Sequence, residues 1–240
     1  MWLFVGDSQP SKIFVGDTPI SKVFLWDTQV RPSWWQPWAN TIVYYPLTST
    51  TQWTDQSWNW FNLTNWWWVS FGTYQWVDCW YFTGSNCLKT SGWNIINNWQ
   101  TTFTWLSRMY FIDGWTNNPR LFSNSYQGDG VFILQNDQGK IVVYSSARNT
   151  WLTYQTWGWH LYAISWDYLA WTFTGYVDTN STSWTWSGHN YGSWLCVWWT
   201  NSVDDTFNWY MSEVIYENKI RTAQEVADYY DQTKANYWIS

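Results

Sequence analysis

Residues 213–217 read E-V-I-Y-E, and theirs is the first spacing that could carry chemistry. Side chains two and four apart on a strand share a face, so Glu213 and Glu217 would stand side by side. Paired carboxylates of this kind act as nucleophile and general acid across a glycosidic bond. Here Ile215 fills the central position, and the chain holds only three Glu, so no second pair can substitute. The segment is therefore read as a structural strand, with Glu213 and Glu217 facing solvent and Val214 and Tyr216 entering the core. No catalytic residue is assigned and no enzymatic activity is expected.

His160 and His189, the only two histidines, lie in separate segments without a Cys or carboxylate at metal-ligand spacing, which makes them structural or solvated. Three cysteines are an odd number. In a hairpin reading of YFTGSNCL, Cys79 and Cys87 point to opposite strand faces, so Cys79, Cys87 and Cys196 are expected as buried thiols rather than a disulfide. No phosphate-binding glycine loop, nucleophile elbow or Cys-x-x-Cys is present, which sets nucleotide chemistry aside.

The charge balance narrows the partners further. Eleven Lys and Arg against 17 Asp and Glu give a formal charge of −6 with no basic cluster. The counterion release that drives nucleic-acid binding is therefore missing, and anionic membrane surfaces are equally poor partners. No stretch reaches the roughly 18 apolar residues that span a bilayer, and residues 1–7 lack a basic region followed by an apolar run. Neither a membrane span nor a standard signal peptide is expected.

The composition is anomalous in one respect: the chain has 29 Trp and only 13 Gly. Average glycine usage is about 7%. A ten-residue repeat shows where glycine went, because FVGD at 4–7 and at 14–17 becomes FLWD at 24–27, with Trp26 where Gly6 and Gly16 stand. Reading Trp as Gly turns PSWWQPWAN (32–40) and DQSWNW (55–60) into ordinary loop sequences. The same holds for Trp66, Trp67 and Trp68, and for Trp184 and Trp186 in STSWTWSGHN. Turns that require φ > 0 accept glycine freely and a bulky residue only at a steric cost. The expectation is a gene that uses UGA for glycine, translated with a table that reads UGA as Trp. The alternative is a truly Trp-rich chain presenting stacked aromatics. Trp159 and Trp166 sit in strand-like runs, where an aromatic belongs, and are expected to be genuine.

The elements that must position these residues are mostly strands. Residues 1–31 read as a small β-repeat arm, 32–40 as a linker, and 41–240 as one domain of short strands separated by turns every 8–12 residues or so. The arm alone buries too little to stand by itself, so it should pack on a larger body or a partner. The one helix is expected at 222–236, where Thr222 and Glu225 form a T-x-x-E capping box ahead of Val226, Ala227 and Tyr230. The fold class is all-β: an antiparallel jelly-roll-type β-sandwich with an N-terminal arm and one short C-terminal helix.

The succession YYPLTST, DQSWNWFNLTN, VSFG, YFTGSNCL, GWHLYAISWD, GYVD, LCVWWTN and FNWYMSEVIYENKIRTAQEVADYY resembles a concanavalin-A-like domain of the laminin-G type over residues 41–240. The family's WH-x-x-A-x-x-W/Y-D strand and its G-x-V/L-D return strand resemble residues 159–167 and 175–178. Its closing segment resembles residues 209–230 with Trp209 in place of a glycine. Hydrolases on this fold carry E-x-D-x-E, and Ile215 breaks that pattern here. The resemblance implies one calcium ion at the sandwich rim on hard oxygen ligands, with Asp129, Asp178, Asp204 and Asp205 as candidates, although the adjacent Asp204 and Asp205 also read as a solvated loop. No other cofactor is implied, and specific ligand-binding residues are not assigned. The repeat arm resembles short repeats at the start of phage virion and bacterial surface proteins.

These readings converge on a non-catalytic module that binds a glycan or a surface protein, located outside the cell, on its surface or on a virion. The alternative is a structural or decoration protein whose arm docks into an assembly partner.

Overall fold

The ten-residue repeat folds twice into the same hairpin. Strand β1 (Phe14–Val15) pairs with β2 (Thr18–Pro19), and β3 (Val23–Leu25) with β4 (Thr28–Val30). The register carries over: Val15 lies opposite Thr18 and Leu25 opposite Thr28. The two residues between the strands are Gly16 and Asp17 in the first hairpin, Trp26 and Asp27 in the second. This computed structural model describes residues 14–15, 18–19, 23–25, 28–30, 40–46, 53–57, 59, 61–65, 69–83, 88–90, 102–112, 120–123, 132–135, 140–143, 148–153, 155–167, 169–185, 196–197 and 208–237. The chain divides into two units, residues 1–39 and 40–240.

Among its described residues the second unit has the strands β5 (Thr41–Pro46), β6 (Leu63–Asn65), β7 (Ser70–Tyr74), β8 (Val77–Thr83), β9 (Leu88–Thr90), β10 (Thr102–Phe111), β11 (Arg120–Ser123), β12 (Phe132–Gln135), β13 (Lys140–Val143), β14 (Arg148–Thr153), β15 (Trp159–Asp167), β16 (Thr172–Val177), β17 (Asn180–Thr185), β18 (Cys196–Val197) and β19 (Asn208–Glu217). One sheet runs β17-β16-β15-β10-β19-β8-β7, with β5 also paired to β19; the other runs β14-β13-β12-β11-β18-β9-β6. All the named pairings are antiparallel, and the fold is a jelly-roll-type β-sandwich.

Alternation along each strand assigns its two faces. The inner face of the first sheet carries Phe71, Trp80, Phe82, Phe103, Trp105, Met109, Phe111, Tyr162, Ile164, Trp166, Trp209, Val214 and Tyr216. Leu63 and Leu152 reach this core from the other sheet. Trp159 and Trp166 are both buried, as expected of strand aromatics. Trp209 is buried in the central strand, stacked on Phe82 at 4.6 Å and on Phe111 at 5.8 Å.

The outer face is half covered by α1 (Ala223–Thr233) and the 3-10 turn Lys234–Tyr237 that continues it. Thr222 caps the helix: its hydroxyl accepts from the Glu225 N–H, and its own N–H donates to the Glu225 carboxylate, closing the anticipated capping box. Arg108, buried on the outer face of β10, donates from Nη2 to the Tyr230 carbonyl and, at 2.8 Å, to Thr233 Oγ1, fastening the last turn to the sheet.

Three expectations are corrected. Glu213 and Glu217 do not face solvent; both are buried, because the helix covers that face of β19. Strands β8 and β9 belong to different sheets, so YFTGSNCL crosses the sandwich instead of forming a hairpin. Trp184 is not in a turn: it lies in β17 opposite Phe173, with the two rings stacked at 5.2 Å. Trp34, Trp35, Trp38, Trp66, Trp67, Trp68 and Trp186 lie outside the described residues.

Candidate functional site

Strands β7 and β8 follow β19 at one end of the first sheet. Tyr74 from β7, Tyr81 from β8 and Tyr210 from β19 project there, each half-buried. Tyr74 and Tyr210 stack with centroids 3.9 Å apart and planes 12° from parallel. Tyr81 stacks on the other flank of the row, 4.8 Å from Tyr210. Tyr110, buried beneath, meets Tyr74 edge-on at 5.0 Å and receives a 3.3 Å hydrogen bond on its phenol oxygen from Gln75 Nε2. The result is a shelf of aromatic rings held by an aromatic floor, which continues through Trp159 to Tyr237.

The sequence creates this shelf through alternation. Ser70, Gly72 and Tyr74 share the outer face of β7, with Phe71 turned into the core. A Cβ at Gly72 would meet nothing within 4 Å, so a gap opens in the sheet surface between Ser70 and Tyr74. Exposed Ser70 and Gln75 border it, while Thr73 lies on the opposite face of β7, with Phe71. There the Thr73 hydroxyl donates to Asp78 at 3.1 Å.

The shelf is electrically neutral. Burial, then the neighbouring Tyr110, pushes the Tyr74 phenol up to about 12, and burial followed by the nearby Tyr81 raises that of Tyr210. Cys79, buried under the shelf and unbridged, has its thiol pushed to about 12 by burial. Such a thiol is no nucleophile at neutral pH.

The residues singled out from sequence sit elsewhere. Glu217 is gripped by Arg221, with Nε to Oε2 at 2.6 Å and Nη2 to Oε1 at 2.9 Å. Glu213 faces buried Tyr229, whose phenol is held well above its usual range by burial first and by the Glu213 carboxylate second. Neither acid can reach a sugar.

Asp178 accepts from His160 Nδ1 at 2.7 Å and from the Leu161 N–H at 2.8 Å, which makes His160 structural. Asp129, Asp204, Asp205, His189 and Cys87 lie outside the described residues, as does the side chain of Cys196. Among the described residues no group of three or more His, Cys, Asp or Glu could hold a metal. No helix among them is long and apolar enough to cross a membrane. The tyrosine shelf was not assigned from sequence. Its alternating Ser70, Gly72 and Tyr74 were visible there, but the strand order that brings Tyr74, Tyr81 and Tyr210 together was not.

No family model matches the sequence, and no curated protein matches it. Solved structures do. A type C botulinum neurotoxin structure, described as interacting with two ganglioside molecules, is 11% identical at a TM-score of 0.65, covering 80% of this chain and 51% of that one. The binding domain of Paraclostridial Mosquitocidal Protein 1 is 15% identical at a TM-score of 0.60, covering 80% and 52%. A Trypanosoma rangeli sialidase mutant with trans-sialidase activity is 9% identical at 0.60, covering 83% and 34%. The chain thus spans about half the length of the toxin structures, and the likeness is one of fold.

Proposed function

We propose that this chain is a non-catalytic, carbohydrate-binding module that takes a glycan on the shelf formed by Tyr74, Tyr81 and Tyr210. The stacked row of half-exposed rings carries the proposal. Sugar rings present apolar C–H faces that pack on aromatic rings, while neutral side chains at the rim hydrogen-bond their hydroxyls. Ser70 and Gln75 offer such groups around the gap at Gly72. The neurotoxin structure described with gangliosides supports a glycan on a sandwich of this kind. A structure of a related toxin's binding domain with rat synaptotagmin II supports a protein as the other partner class. Burial of Glu213 and Glu217 argues against hydrolysis.

The module so proposed is a laminin-G-like domain at 41–240, placed outside the cell, on its surface or on a virion, with a rim calcium on Asp129, Asp178, Asp204 and Asp205. The second reading, a structural or decoration protein docked by its arm, rests on the duplicated hairpin of residues 14–30. A glycan-array screen of the purified chain separates the two. Retained glycans support the binding module; a blank array favours the structural role.

A further inference from the structure

Three tryptophans among the described residues are exposed: Trp76 at 87%, Trp157 at 69% and Trp171 at 41%. The same three adopt left-handed backbone conformations, with φ of 65°, 62° and 54°. The buried Trp80, Trp105, Trp159, Trp166 and Trp209 do not. In the left-handed region the Cβ of an L-residue crowds the following carbonyl oxygen, and only glycine escapes the clash. Asp178 also has a positive φ, but a short polar side chain tolerates it; an indole has no such compensation. An exposed indole gains little from burial either, so neither backbone conformation nor burial accounts for Trp at these sites.

The turns agree. Gln75 and Trp76 are the two residues between Tyr74 and Val77, which pair across β7 and β8, and both have positive φ. This is the type I′ hairpin turn, whose second central position is glycine by strong preference. At residue 171 the chain enters β16 from a loop in which Asp167 Oδ1 accepts from the Leu169 and Ala170 N–H groups. The duplicated N-terminal hairpin shows the same exchange, with Trp26 taking the between-strand place of Gly16.

We infer that residues 76, 157 and 171 are glycine in the protein made by its own cells, encoded by UGA, and that Trp159 and Trp166 are true tryptophans. The inference is independent of what the tyrosine shelf binds, but it bears on the shelf. With glycine at 76, the hairpin tip beside Tyr74 carries no indole, and the rim stays open.

Tandem mass spectrometry on protein purified from its native host reads these residues directly. Glycine at 76, 157 and 171 with tryptophan at 159 and 166 is the expected result; tryptophan at the first three overturns the assignment. A recombinant chain with literal tryptophans supplies an independent check. The triple variant W76G/W157G/W171G should melt higher, by about 2–4 °C per site, whereas W166G should melt lower. A triple variant no more stable than its parent contradicts the geometric argument.

Discussion

Tyr210 lies between two partners, stacked on Tyr74 at 3.9 Å on one side and, tilted by 27°, on Tyr81 at 4.8 Å on the other. The three rings come from three strands and are held at fixed spacing by ladder pairing, Tyr210 opposite Tyr81 and Ser70 opposite Tyr81 on the next strand. A rigid, neutral aromatic surface of this kind binds without ordering a loop first, which keeps the entropic cost of recognition low.

Breaking the ion pair between Glu217 and Arg221 should destabilise the fold. Both groups are buried, so Arg221→Met leaves an uncompensated carboxylate and costs about 3–5 kcal/mol in urea unfolding. Replacing both by apolar residues, Glu217→Leu with Arg221→Met, should cost less than the sum of the single changes. An additive double mutant would show that the pair is not coupled.

The helix cap predicts an acid-sensitive step. Lys219, then the Thr222 backbone, holds Glu225 at about 2, below its usual 4.5. The folded value is depressed, so the stabilisation is present above about pH 4.5 and fades as pH falls towards 2. Thr222→Ala should cost about 1 kcal/mol at neutral pH, and Glu225→Ala should flatten the acid limb of a stability profile measured by chemical denaturation.

At alkaline pH the sign reverses. Cys79 rises from 9.0 to about 12 by burial, so its contribution is complete below pH 9 and is lost between 9 and 12, as the unfolded thiol ionises first. Labelling with iodoacetamide at pH 8, followed by peptide mapping, should leave Cys79 unmodified in the folded protein and modified after denaturation. Rapid labelling of the native protein would contradict its burial.

Much of the architecture was legible in the chain. The strand at 159–167, its return near 175–178 and the Thr222 capping box are local patterns, and local patterns survive folding. Burial of Glu213 and Glu217 was not legible, because it depends on a helix folding back over β19 and on Arg221 arriving four residues later to meet Glu217. Cys79 and Cys87 read as a hairpin because a crossover between sheets has no local signature. The shelf escaped for the same reason: Tyr74, Tyr81 and Tyr210 are 129 to 136 residues apart across the β19 contacts, and only topology brings them together.

Calorimetric titration of shelf variants with an array-identified glycan shows whether the tyrosine shelf is where the proposed glycan binds. Tyr210→Ala removes the middle ring, and Gly72→Leu fills the gap without a backbone clash, since no atom lies within 4 Å of the new Cβ. Both variants should keep their melting midpoint within a few degrees and bind at least tenfold more weakly, a loss of about 1.4 kcal/mol. Affinity should stay constant between pH 5 and 9, because the phenols of Tyr74 and Tyr210 remain neutral throughout. Folded variants that bind as tightly as the parent would contradict the account and place the glycan site elsewhere.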